Sequence, residues 1–158
     1  IVGDGPLRGE LERLCHRLGV SRSICFVGRK PQKELPLWYN AADVSCLASS
    51  REGWPNVLLE SLACGTPVVA TRVGGVPEIL TSSELGFVVE QEPAALAAGV
   101  EQALRKEWDR AGLVRYAHAR TWKVVAEEVE SWFELQKPPT ATGAKSESAG
   151  LDVAGHSL

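Results

Sequence analysis

The chain has 158 residues, 44% of them hydrophobic and 23% charged, the composition of one globular domain with a real apolar core. Its net charge of −3 leaves no basic surplus for a phosphate polymer, which argues against nucleic acid as a partner but still allows a small phosphorylated ligand held by backbone amides. No apolar run reaches about 18 residues and no signal-peptide pattern opens the chain, so neither a membrane span nor export is expected.

Short apolar runs alternate with longer amphipathic ones, the pattern of βα units around a parallel sheet. Ile1-Val2 reads as the end of a buried strand, so the chain is expected to be a piece of something longer. Gly3-Asp4-Gly5-Pro6 turns it. Leu7, Leu11, Leu14 and Leu18 recur at helical spacing and Gly19 stops the helix. A buried strand is predicted over Ile24 to Val27, a helical face on Leu35, Trp38, Tyr39 and Ala42, and a third strand over Val44 to Leu47. A helix from about Pro55 to Cys64 follows the loop, with proline at its first position, where the missing N–H costs nothing. The very apolar run Pro67 to Ala70 predicts a central strand covered on both faces. Val76 to Leu80 is a short helix and Gly86 to Val89 a last strand. Helices are predicted over about Ala94 to Lys106, Trp108 to Ala119 and Thr121 to Gln136, the last with Trp122, Val125, Val129, Trp132 and Phe133 along one face. From Lys137 to Leu158 the composition turns to Pro, Thr, Ser, Gly and Ala and reads as a disordered tail.

Cys15, Cys25, Cys46 and Cys64 form no C-x-x-C pair, and three lie in apolar runs, as reduced thiols in a cytoplasmic protein do. His16, His118 and His156 stand at no metal-ligand spacing, so no metal site is expected. Gly3-x-Gly5 lacks the third glycine of a dinucleotide fingerprint, which removes NAD and FAD.

The informative segment is Ser49-Ser50-Arg51-Glu52-Gly53-Trp54-Pro55-Asn56-Val57-Leu58-Leu59-Glu60, directly after a strand and into a helix. Its glycine lets a ligand approach the backbone, and the helix N-terminus offers the amides of Asn56, Val57 and Leu58 to an anion. Glu52 and Glu60 flank that site. Glu60 shares a helix face with Asn56 and Val57, and a carboxylate beside a phosphate pocket suits the vicinal hydroxyls of a ribose. Glu52 alone reads more readily as a partner for the helix dipole than as a ligand contact, but Glu60 lies in an otherwise apolar helix, where an ionised group needs a partner or a purpose. Gly74 and Gly75 allow a sharp strand-to-helix turn. Pro77 and Glu78 fit a first helical turn, where Glu78 is equally a dipole partner or a functional residue, and Asp43, Arg51 and Arg72 read as structural or surface residues.

Glu52 and Glu60, in the context E-G-W-P-N-V-L-L-E-S-L-A-C-G-T-P-V-V-A-T, resemble the E-x7-E signature of a large family of retaining GT-B glycosyltransferases, glycosyltransferase family 4 or group 1. The resemblance extends to V-G-D-G-P at Val2, F-V-G at Phe26, L-W-Y-N-A-A-D-V at Leu37, G-G-V-P-E-I at Gly74 and G-F-V-V at Gly86, and covers residues 1–136.

That resemblance implies an α/β, doubly wound, Rossmann-like parallel sheet, the C-terminal donor-binding half of a GT-B fold without its N-terminal strand. It implies transfer of a hexose from a UDP-, GDP- or ADP-sugar to a sugar, lipid or polysaccharide hydroxyl, with retention. Neither metal nor cofactor is implied. Glu60 would bind the donor ribose, Glu52 the transferred sugar, and Gly53, Trp54, Asn56, Val57, Leu58, Gly74 and Gly75 would line the donor site. Pro55 stands where many relatives have glycine and removes one amide. The relatives' Arg and Lys clamp on the diphosphate and their acceptor domain are absent, so the chain alone is expected not to turn over. The full-length protein is expected in the cytoplasm or at the inner face of the membrane. A non-catalytic sugar-nucleotide-binding module, or a GT-B phosphorylase or epimerase, stays open as an alternative.

Overall fold

The computed structural model describes residues 1–135, except the side chain of Trp122, so the expected tail from Lys137 lies outside the described residues. The chain divides into two compact units, one over Ile1–Thr121 and one beginning at Trp122.

The first unit is a parallel three-stranded sheet among its described residues, β1 (Ser45–Leu47), β2 (Val68–Thr71) and β3 (Gly86–Val89), in that order. Around it lie α1 (Arg8–Arg17), a 3-10 turn (Gln32–Glu34), α2 (Leu35–Asn40), α3 (Asn56–Ala63), α4 (Val76–Ile79), α5 (Pro93–Arg105) and α6 (Arg110–His118). All of β2 is buried, as an uninterrupted apolar run should be when both faces of the sheet are covered. Side-chain alternation divides the strand between two layers. Val68 and Ala70 enter a core with Leu58 and Leu62 of α3, Val76 and Ile79 of α4, and Leu113 and Ala117 of α6. Val69 faces α5, where a Cβ on Gly99 would come within 3.0 Å of Val69 and 2.8 Å of Val89. Helices thus cover both faces of a parallel sheet, which is the doubly wound α/β architecture.

Helix α3 ends as its sequence requires. Gly65 has φ +73°, its amide bonds Leu62 O, and the Thr66 amide reaches back to Ser61 O at 3.0 Å. The buried Ser61 hydroxyl donates to Thr66 O at 3.0 Å, and the Thr66 hydroxyl to Tyr39 O at 2.8 Å, tying α3, β2 and α2 together.

Five sequence expectations are corrected. Ile24 to Val27 is no buried strand. It is an extended segment joined to Ile1–Gly3 by one parallel bridge, Val2 to Gly28, with Cys25 exposed, because the ladder is two segments wide and too short to form a regular sheet. Pro55 precedes α3 instead of opening it, since its ψ of 92° is extended. The α6 helix starts after Trp108, at the cap Asp109, whose side chain accepts from the Gly112 amide, while the Trp108 indole donates to Ala103 O. Ile1 and Val2, expected to end a buried strand, are exposed, as are Leu7, Leu11, Leu14 and Leu18, and only Cys15 of α1 is buried.

The second unit contains α7 (Trp122–Leu135). No helix among the described residues is long and apolar enough to cross a membrane.

Candidate functional site

Parallel strands bring their carboxyl ends to one side, and the loops leaving β1 and β2 meet there. The hydroxyl of Thr71, the last residue of β2, donates to Ser49 O at 2.6 Å, and Gln91 Nε2 donates to the same carbonyl at 3.2 Å. Ser49, so fixed, turns its own hydroxyl to Glu52 Oε1 at 2.6 Å. Among the described residues it is the side chain that orients that half-buried carboxylate.

The loop after β2 supports the next stretch from behind. The Gly75 amide donates to Gly53 O at 2.8 Å, and Gly74, at φ +47°, lies so close that a Cβ would stand 1.9 Å from Glu52 O. A Cβ on Gly75 would meet the Trp54 ring at 2.8 Å, and the Arg120 guanidinium stands 5.4 Å from that ring's centroid. Gly74 and Gly75 therefore form the bed of the Glu52–Trp54 loop, and Trp54 packs on that bed.

From Pro55 the chain enters α3. The Leu58 amide donates to Pro55 O at 3.1 Å, whereas no hydrogen bond of the described residues occupies the amides of Asn56 and Val57. Two amides at the positive end of a helix face outward, beside an exposed Gly53, a backbone arrangement suited to an anion. Leu58, named above as a third donor, is committed to the helix.

Glu60 is half-buried on α3 and accepts a hydrogen bond from the Tyr39 hydroxyl at 3.0 Å, its one side-chain partner among the described residues. Burial pushes the Tyr39 phenol well above its ordinary range, and the Glu60 charge and hydrogen bond push it further in the same direction. Burial, then the same carboxylate, raises the Cys64 thiol. Glu52 and Glu60 thus have separate anchors and no contact with each other. A cavity of ≈ 690 Å³ adjoins the start of α3, lined by Val2, Gly3, Arg29, Lys30, Trp38, Tyr39, Leu47 and Val57 among others.

Arg72 is exposed and paired with Glu90 at 2.9 Å, and Arg51, Asp43 and Glu78 are exposed outside the site. Sequence reasoning missed Tyr39, Ser49, Thr71 and Gln91. The signal for Tyr39 was a phenol on a helix face otherwise apolar, since a buried hydroxyl there demands a partner.

The family model described as glycosyl transferases group 1 matches residues 1–120. The chain is 37% identical over 146 residues to D-inositol 3-phosphate glycosyltransferase of Corynebacterium urealyticum, covering 89% of this chain and 34% of that protein. Its fold is similar to sucrose-phosphate synthase from Thermosynechococcus elongatus, with TM-score 0.72 and 27% identity over 85% of this chain and 37% of that one. It is also similar to the Anabaena protein HepE in complex with UDP, with TM-score 0.67 and 25% identity over 82% of this chain and 40% of that one. The chain thus spans about a third of the length of the curated relative, 34%.

Proposed function

The chain belongs to the group 1 glycosyl transferases, and we propose on that premise that it is the part of such an enzyme that binds a nucleoside-diphosphate sugar. The observation that carries this reading is the start of α3, where two unbonded amides lie between two half-buried carboxylates, each held by a hydroxyl. The amides of Asn56 and Val57 would receive the diphosphate, and Glu60 the ribose hydroxyls. Glu52 would contact the transferred hexose, where its charge favours the positive character that develops at the anomeric carbon as the diphosphate leaves. Helix amides supply the electrostatic work on the leaving group, so the reading requires no metal ion. Transfer with retention of configuration is part of this reading, supported by the spacing of Glu52 and Glu60. The acceptor, a sugar, lipid or polysaccharide hydroxyl, would bind outside this chain, in the part of the relatives that it does not span, in a protein acting in the cytoplasm or at the inner face of the membrane.

Titration of UDP, GDP and ADP into the isotope-labelled chain, followed by NMR, tests the reading. One nucleotide is expected to shift the amides of Gly53, Asn56 and Val57 selectively, with the shifts lost in Glu60→Ala. Silence with all three, or shifts unaffected by the substitution, would overturn it.

A further inference from the structure

We propose that Tyr39 is a positioning residue of the donor site, a phenol that fixes the Glu60 carboxylate in the orientation that ribose hydroxyls need. The inference rests on the donor-binding reading above and adds a residue to it.

A glutamate on a helix has several rotatable bonds, and a ligand that must freeze them loses that entropy from its affinity. Here the freezing is done in the folded chain. The Tyr39 hydroxyl donates to Glu60 Oε2 at 3.0 Å and leaves Oε1 for a ligand. Tyr39 is itself fixed from the backbone, because its carbonyl accepts from the Thr66 hydroxyl at 2.8 Å and Thr66 is fully buried next to β2. It also lines the ≈ 690 Å³ cavity together with Val57, whose amide is unbonded, so one phenol stands at the cavity beside that backbone and bonds the Glu60 carboxylate. The phenol's raised ionisation keeps it a donor across the physiological range, the form that a carboxylate acceptor requires.

The alternative is that Tyr39 merely satisfies a half-buried charge. Tyr39→Phe removes one oxygen and leaves the Thr66 bond intact, so the variant is expected to fold, and the two roles differ in what they do to ligand selectivity. Affinities are measured for UDP, GDP and ADP and for their 2′,3′-dideoxy counterparts with the chain, Tyr39→Phe and Glu60→Gln. The chain is expected to favour the ribose form of its nucleotide by about tenfold or more, the scale of hydrogen bonds to a charged group. Tyr39→Phe is expected to cut that preference by at least about threefold while the dideoxy affinity stays unchanged. A preference lost in Glu60→Gln but intact in Tyr39→Phe overturns the positioning role alone. No preference in the chain itself overturns the donor-site reading, and the role of Tyr39 falls with it.

Discussion

At the scale of single residues, the site is controlled as much by what supports the carboxylates as by the carboxylates. Gly74 and Gly53 show the difference within one pair of loops. A Cβ on Gly74 would stand 1.9 Å from Glu52 O on a backbone at φ +47°, whereas one on Gly53 meets nothing within 4 Å. Gly74→Ala is therefore expected to cost about 1–3 kcal/mol and to displace the Glu52 loop, while Gly53→Ala stays within about 0.5 kcal/mol. Urea denaturation of both variants checks this, and equal stability would mean that the two loops are not in contact. Glu60 was legible in the sequence because an ionised group stood in an apolar helix, and Glu52 because of its spacing from Glu60. Tyr39 and Ser49 were not assigned roles, since helical periodicity places Tyr39 on a face without saying what its hydroxyl reaches 21 residues away. The reading of Gly74 and Gly75 as ligand contacts likewise came from their place in a motif. Their packing against Glu52, Gly53 and Trp54 needed coordinates.

At the scale of elements, strands and helices followed the apolar pattern wherever a face was buried, and departed from it at the ends. The β2 and β3 strands and the α5 and α3 helices fall within one residue or so of their expected bounds because each packs apolar side chains against a neighbouring layer, β2 on both faces. The start of α6 slipped from Trp108 to Arg110 because a local cap outcompeted the apolar signal. Asp109 is that cap. Its carboxyl sits below the ordinary carboxylate range, first because the Gly112 amide donates to it and then because Arg115 lies beside it, 3.0 Å away. A group depressed in the folded state contributes stability above its unfolded pKa, near 3.9, and loses it as pH falls through the folded value. Asp109→Ala is thus expected to lower the urea midpoint at pH 7. The gap to the parent chain should close as the pH falls below about 3.9, and a gap independent of pH would assign the loss to packing.

At the scale of the whole molecule, the proposed donor site, with its exposed amides and half-buried carboxylates, has a thermodynamic consequence that needs no turnover. A ligand that binds only the folded state raises stability by RT ln(1 + [L]/Kd), about 2.7 kcal/mol at a hundredfold excess over Kd. If the site binds a nucleoside diphosphate as proposed, that ligand should raise the melting temperature by several degrees. Its parts should do less. On the proposed reading inorganic pyrophosphate would reach only the Asn56 and Val57 amides and the free nucleoside only Glu60 and the neighbouring cavity, so each alone should give a small fraction of the shift. Glu60→Gln should reduce the response to the diphosphate and leave that to pyrophosphate unchanged. If backbone amides carry the phosphate, EDTA will not alter any of these shifts, and rising salt will diminish those of the charged ligands. Loss of the diphosphate shift on chelation would replace the amides with a cation as the anchor. A shift equal to that of pyrophosphate alone would show that Glu60 and the surface beside it take no part in holding the nucleoside.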